Sequence, residues 1–138
     1  MHNSPIMVVE DDKDDCDLLM GVLKDLSINN EIRCFNSAAA ALQYLRTTKE
    51  KTFLIISDIN MPAMTGMEFK RQINKDEFLH QKAIPFIFLT TADDDYSIQQ
   101  AYKLNIQGYF EKQTSFAHFE SQIKLIVNYW KSARLKDY

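Results

Sequence analysis

Five short apolar runs, each rich in β-branched or aromatic residues, punctuate the chain: Ile6–Val9, Ile32–Phe35, Phe53–Ile56, Ile84–Leu89 and Ile106–Phe110. Apolar residues at successive positions mark strands that are covered on both faces. Between the runs the spacing becomes helical. Leu18, Leu19, Val22, Leu23 and Leu26 recur at helical intervals, as do Ala41, Leu42 and Leu45, while Phe116, Phe119, Ile123, Ile126 and Trp130 form the clearest stripe. A strand followed by a helix, five times over, predicts a doubly wound α/β domain: a parallel sheet of five strands, flanked by five helices and joined by right-handed crossovers.

With only three glycines and three prolines, no repeat and no linker, nothing divides the 138 residues. One domain over 1–138 is expected, with its core at about 5–128 and the last helix running to about 135. A chain of this length buries roughly two-thirds of its unfolded surface and needs no staple. Met1–Pro5 has neither the basic nor the apolar part of a signal peptide, and no apolar run is long enough for a bilayer, so a cytoplasmic location without membrane contact is expected. A net charge of -3 gives no drive towards nucleic acid, and the basic tail Lys131, Arg134, Lys136 reads as a solvated helix end. Cys16 and Cys34 have the spacing of neither a zinc site nor a redox pair and are expected as reduced thiols.

In an open parallel sheet, ligands bind beyond the carboxyl ends of the strands. The first strand ends in Glu10, Asp11, Asp12, the third in Asp58 and the fourth in Thr90, Thr91, and the fifth leads into Lys112. Every chemically capable group thus falls on one edge. Glu10, Asp11 and Asp58 would repel one another unless a cation compensates, and magnesium, or manganese in its place, suits a set of oxygen ligands. Asp12, Asp14, Asp15 and Asp17 read instead as solvated acids in the first turns of a helix, where the dipole favours them. A strand-end carboxylate can attack phosphorus, given positive charge and hydroxyl donors for the phosphoryl oxygens, and Lys112 and Thr90 could supply these. Taken singly, Lys112 reads equally as a surface ion-pair partner and Thr90 as a β-former.

V-V-E-D-D at Val8–Asp12, L-I-I-S-D-I-N-M-P-A-M-T-G-M-E at Leu54–Glu68, L-T-T at Leu89–Thr91 and G-Y-F-E-K at Gly108–Lys112 resemble a response-regulator receiver domain of two-component signalling. Four separated motifs in the right order span nearly the whole chain. The resemblance implies a flavodoxin-like strand order 2-1-3-4-5 and Asp58 as the acceptor of a phosphoryl group from a sensor histidine kinase or phosphotransfer protein. It implies Glu10 and Asp11 as the acidic pair, with Asp11 the direct metal ligand, and the Asn60 backbone carbonyl as a further ligand. Thr90 and Lys112 become phosphate contacts and Tyr109 the switch aromatic. The ending, with Phe116, Phe119 and V-N-Y-W-K-S at Val127–Ser132, is similar to single-domain regulators that partner phytochrome kinases; Trp130 could equally be ordinary packing. No DNA-binding output domain is expected after the last helix. Output would pass by protein contact to a downstream target, read from the fourth helix, fifth strand and fifth helix, with a homodimer formed through Tyr102, Tyr109 and Trp130. Gln113 stands where receivers usually carry proline; a non-prolyl cis bond costs about 2.5–4 kcal/mol, which favours trans after Lys112 unless the site enforces cis, so the sequence leaves the isomer open.

Three other readings compete. A flavodoxin-type electron carrier shares the sheet order but needs a phosphate-binding turn after the first strand, where Glu10, Asp11 and Asp12 would repel the ligand. A phosphorylation-independent pseudo-receiver would be free to lose Asp11, Asp58, Thr90 or Lys112, and all four are present. A hydrolase lacks a base, since His2, His80 and His118 lie far from the motifs and read as surface residues.

Overall fold

Residues 3–136 are described by the computed structural model. In chain order they form β1 (Ile6–Val9), α1 (Lys13–Asp25), β2 (Ile32–Phe35), α2 (Ala38–Thr47), β3 (Leu54–Ser57) and α3 (Gly66–Lys75). Then follow α4 (Glu77–His80), β4 (Phe86–Thr90), α5 (Asp95–Tyr102), β5 (Gly108–Glu111) and α6 (Phe116–Ser132). The strands make one parallel sheet in the order β2-β1-β3-β4-β5, as the resemblance implies.

Local chemistry sets where the helices start. Asp12, Ser37, Thr65, Asp76, Asp94 and Ser115 each stand at an N-cap, and each side-chain oxygen accepts the N–H of the residue three positions on. One of these caps corrects the expected helix count. Asp76 ends α3 with its own N–H and then accepts from Leu79 N at 3.2 Å, which starts the short α4 as a sixth helix and buries Leu79. A second correction concerns the last helix, which stops at Ser132 rather than near 135. The Ser132 hydroxyl bends back to the carbonyls of Asn128 (3.1 Å) and Tyr129 (2.9 Å), local bonding that competes with continuing the helix.

Alternate strand residues feed two cores, which is why the strands read as unbroken apolar runs. Met7, Val9, Ile55, Phe86 and Phe88 pack against α2, α3 and α5. Ile6, Val8, Leu54, Ile56, Ile87 and Leu89 pack against α1 and α6, whose stripe Phe119, Ile123, Ile126 and Val127 is buried. Trp130 is half-buried on that second core, so packing accounts for it.

The two cysteines, far apart in sequence, are neighbours in the fold. Cys34 pairs in register with Val8 and packs on the α1 side of the sheet, where Cys16 lies on the buried face of α1. Their Sγ atoms meet, while their Cα atoms stand 7.1 Å apart, wider than a relaxed disulfide spans. No sequence spacing announces the pair, because the parallel crossover creates it. His80 and His118 are exposed as expected, and His2 lies outside the described residues. Among the described residues, no helix is long and apolar enough to cross a membrane.

Candidate functional site

The β1–β3 register sets Val9 opposite Ser57, so the next residues, Glu10 and Asp58, emerge side by side at the carboxyl edge. Asp58 N–H donates to the Val9 carbonyl (3.0 Å) and Glu10 N–H to that of Phe35 (3.0 Å), so both backbones remain tied to the sheet. Lys112 reaches the same point because its N–H bonds the Thr90 carbonyl at 2.8 Å, one step beyond the β4–β5 ladder. Its ammonium donates to Glu10 Oε1 at 2.6 Å, to Asp15 Oδ2 at 3.3 Å and to Asp58 Oδ2 at 3.4 Å. Asp58 Oδ1 accepts the Ile59 N–H at 2.7 Å, which fixes the carboxylate plane. The Lys112–Gln113 peptide is trans.

Glu10, Asp11 and Asp58 each offer a carboxylate oxygen, all within 4.8 Å of one another. Asp11 is exposed, and no described residue holds its carboxylate by a hydrogen bond or ion pair; the cap of α1 is Asp12, which accepts from Asp15 N at 3.0 Å. Asn60 is exposed just beyond Asp58. Three carboxylates against one ammonium leave a negative, oxygen-lined cluster, which fits a hard divalent cation.

Burial raises the pKa of Glu10 to about 7, against the lowering pull of the Lys112 hydrogen bond, and the Asp58 charge pushes the same way as burial. For Lys112 burial acts downward, but the Glu10 bond and the charges of Asp58, Glu10 and Asp15 outweigh it and hold the ammonium above its ordinary value. The Glu10 proton is therefore held more tightly folded than unfolded, where the group titrates near 4.5. Stability of the metal-free chain must then fall as pH rises from there through about 7. Melts in EDTA should show the wild type less stable at pH 8 than at pH 5.5, and Glu10→Gln largely without that difference.

Asp15, Ser57 and Gly66 support the site without having been expected in it. Asp15, read as a solvated helix acid, faces Lys112. The Ser57 hydroxyl donates to the Asp58 carbonyl at 2.8 Å. Gly66 opens α3 against that same carbonyl, and its N–H donates to Ile59 O at 2.8 Å. Thr90 is fully buried, and its hydroxyl accepts Ala92 N–H at 3.3 Å. Tyr109 packs on Phe88 with ring centroids 6.2 Å apart and donates its hydroxyl to the Ala92 carbonyl at 2.6 Å. It is only part-exposed, as is Trp130, whereas Tyr96, Tyr102, Phe116 and Tyr129 of α5 and α6 are exposed.

Fold and site together define a doubly wound α/β protein with acids and a lysine gathered at the carboxyl edge of its sheet. The chain belongs to the response regulator receiver domain family, which residues 6–124 match. It is thus the receiver domain of a two-component response regulator, a phosphoacceptor switch rather than a conventional enzyme. Response regulator Rcp1 of Synechocystis sp. is 28% identical over 130 residues, covering 91% of this chain and 87% of Rcp1. The Mn²⁺-bound form of Rcp1 superposes with a TM-score of 0.86 at 26% identity, covering 98% of this chain and 99% of that one. The phosphorylated cyanobacterial phytochrome response regulator RcpA gives a TM-score of 0.89 at 27% identity, covering 99% and 100% of the two chains. Chemotaxis protein CheY-3 of Vibrio cholerae is 27% identical over 125 residues, covering 90% of this chain and 92% of CheY-3.

Proposed function

We propose that Asp58 accepts the phosphoryl group in this receiver, that residues 1–138 act as one switch domain, and that the donor is a sensor histidine kinase or phosphotransfer protein. The observation that carries the reading is the Lys112 ammonium held among Glu10, Asp15 and Asp58 beside the three-carboxylate cluster. Asp11, Asp58 and the Asn60 carbonyl would hold a magnesium ion, with Glu10 supporting it; manganese, the ion in the Rcp1 structure, would serve equally. Bound there, the ion would supply positive charge to the phosphoryl oxygens.

Asp58 Oδ1 is engaged by Ile59 N–H, which leaves Oδ2 as the attacking atom. An Oδ2–phosphorus bond forms as the bond from phosphorus to the donor's leaving atom breaks, and that atom keeps the electron pair. Lys112, 3.4 Å from Oδ2, stands where negative charge gathers, and Thr90 offers a hydroxyl from the next strand. These groups position and neutralise, so the domain would also catalyse its own phosphorylation by a small acyl phosphate and the later hydrolysis. Incubation with acetyl phosphate and Mg²⁺ should raise the intact mass by one phosphoryl group, and EDTA should abolish the gain. Undiminished labelling in EDTA would defeat the metal assignment.

Likeness to RcpA, a cyanobacterial phytochrome response regulator, supports a phytochrome-type kinase as partner. Signalling would pass to a downstream protein through α5, β5 and α6, the face expected from sequence. Both levers hold one residue: the Thr90 hydroxyl accepts Ala92 N–H, and the Tyr109 hydroxyl donates to Ala92 O. A phosphoryl group that draws the Thr90 hydroxyl away would free the Ala92 N–H and shift Tyr109 with it. Exposed Tyr96, Tyr102, Leu125 and Tyr129 around the edge strand β5 would then serve a homodimer. Sedimentation should show the wild type self-associating with beryllofluoride and the Thr90→Ala and Tyr109→Ala variants responding weakly. A full response from both variants would defeat this route.

A further inference from the structure

At the end of the sheet opposite Asp58, a pocket of about 220 Å³ opens between the second half of α3, α4 and the amino ends of β3 and β4. Ile55, Ile73, Leu79 and Phe86 make its walls apolar, yet Lys70 also lines it and is only 7% exposed. The Lys70 ammonium donates to Asn74 Oδ1 at 3.0 Å and lies 5.4 Å from the centroid of the Phe86 ring. No carboxylate among the described residues pairs with it. Gln107 Nε2 donates one of its two hydrogens to the Asn105 carbonyl and its Oε1 accepts Phe86 N–H, so this amide offers a ligand at most one neutral donor and no charge.

A buried cation without a counter-ion is costly, and burial lowers the pKa of Lys70. An apolar residue would pack the same face of α3 at no such cost, so the ammonium calls for an anion. The walls call for an apolar body on that anion. Size narrows the class further, since an apolar cavity of about 150 Å³ binds benzene. The additional room here suits a carboxylate on a ring of that size. We propose that this pocket binds a small organic monocarboxylate, with the carboxylate on Lys70 and an apolar body of benzene dimensions against Ile73, Leu79 and Phe86. The site is separate from Asp58 and does not depend on phosphorylation.

Calorimetric titration of the full chain with sodium benzoate, at constant ionic strength, tests this. Saturable one-site binding is expected, with benzamide weaker by about tenfold or more for want of the charge. Lys70→Met should weaken benzoate by a similar factor while melting no lower than the wild type. Equal binding of benzamide, undiminished binding by Lys70→Met, or no saturable binding would overturn the proposal. So would inorganic phosphate or chloride displacing benzoate as effectively as benzoate itself binds. Should Lys70→Met not fold, the benzoate and benzamide comparison on the wild type decides alone.

Discussion

Asp58→Asn should take up no phosphoryl group from acetyl phosphate and Mg²⁺ under conditions that label the wild type fully, as read by intact mass. The effect is all-or-none because an amide oxygen is not a competent nucleophile, and neither neighbouring carboxylate is set up to replace it. Glu10 is buried against Lys112, and the exposed Asp11 has no ammonium at hand. The fold should tolerate the change. Asparagine has the same shape and can still accept the Ile59 N–H, and losing the Asp58 charge relieves repulsion on Glu10. The metal-free variant should therefore melt at or slightly above the wild type, with Glu10 titrating lower, while Mg²⁺ affinity drops. Equal labelling of the variant would move the acceptor to another residue. A large loss of stability would instead mean that Asp58 holds the sheet edge together.

How far the site was legible follows from what kind of information each residue carries. Glu10, Asp58, Thr90 and Lys112 could be read because strand ends are visible as the limits of apolar runs, and the parallel sheet collects those ends on one edge. Asp15 could not, because its approach to Lys112 depends on how α1 rotates over the sheet, across 97 positions of chain. Cys16 and Cys34 meet for the same reason. Lys70 and Arg71 are adjacent cations in sequence, and only the packing of α3 buries one and exposes the other. Tyr109 was expected as an exposed anchor, but its hydroxyl has a backbone carbonyl within reach and its ring has Phe88. The short α4 escaped because one turn carries no periodicity; its signal was a single capping aspartate.

The same distinction governs Gly66, whose need for glycine cannot be guessed from its φ, since no glycine here has a positive φ. The constraint is space. A Cβ on Gly66 would lie 2.1 Å from the Asp58 carbonyl oxygen and 2.9 Å from both Ile59 Cα and Phe88 Cε1. Two of these three are backbone atoms, and the carbonyl is also held by the Ser57 hydroxyl, so the obstacle cannot swing aside. Overpacking of this kind costs about 3 kcal/mol, and the helix propensity gained from alanine returns only about 1 kcal/mol. Gly66→Ala should thus be destabilised by roughly 2 kcal/mol. It should also phosphorylate more slowly, because α3 can move off only by dragging the Asp58–Ile59 peptide that orients the carboxylate. Gly21 is the control, since a Cβ there meets nothing within 4 Å on the exposed side of α1. Gly21→Ala should stabilise the chain by about 0.5–1 kcal/mol and leave phosphorylation unchanged. Opposite signs from one chemical substitution, measured by urea unfolding and acetyl-phosphate labelling, would separate close approach from helix propensity. If Gly66→Ala proves as stable and as readily phosphorylated as Gly21→Ala, the contact between α3 and the Asp58 backbone does not hold the acceptor in place.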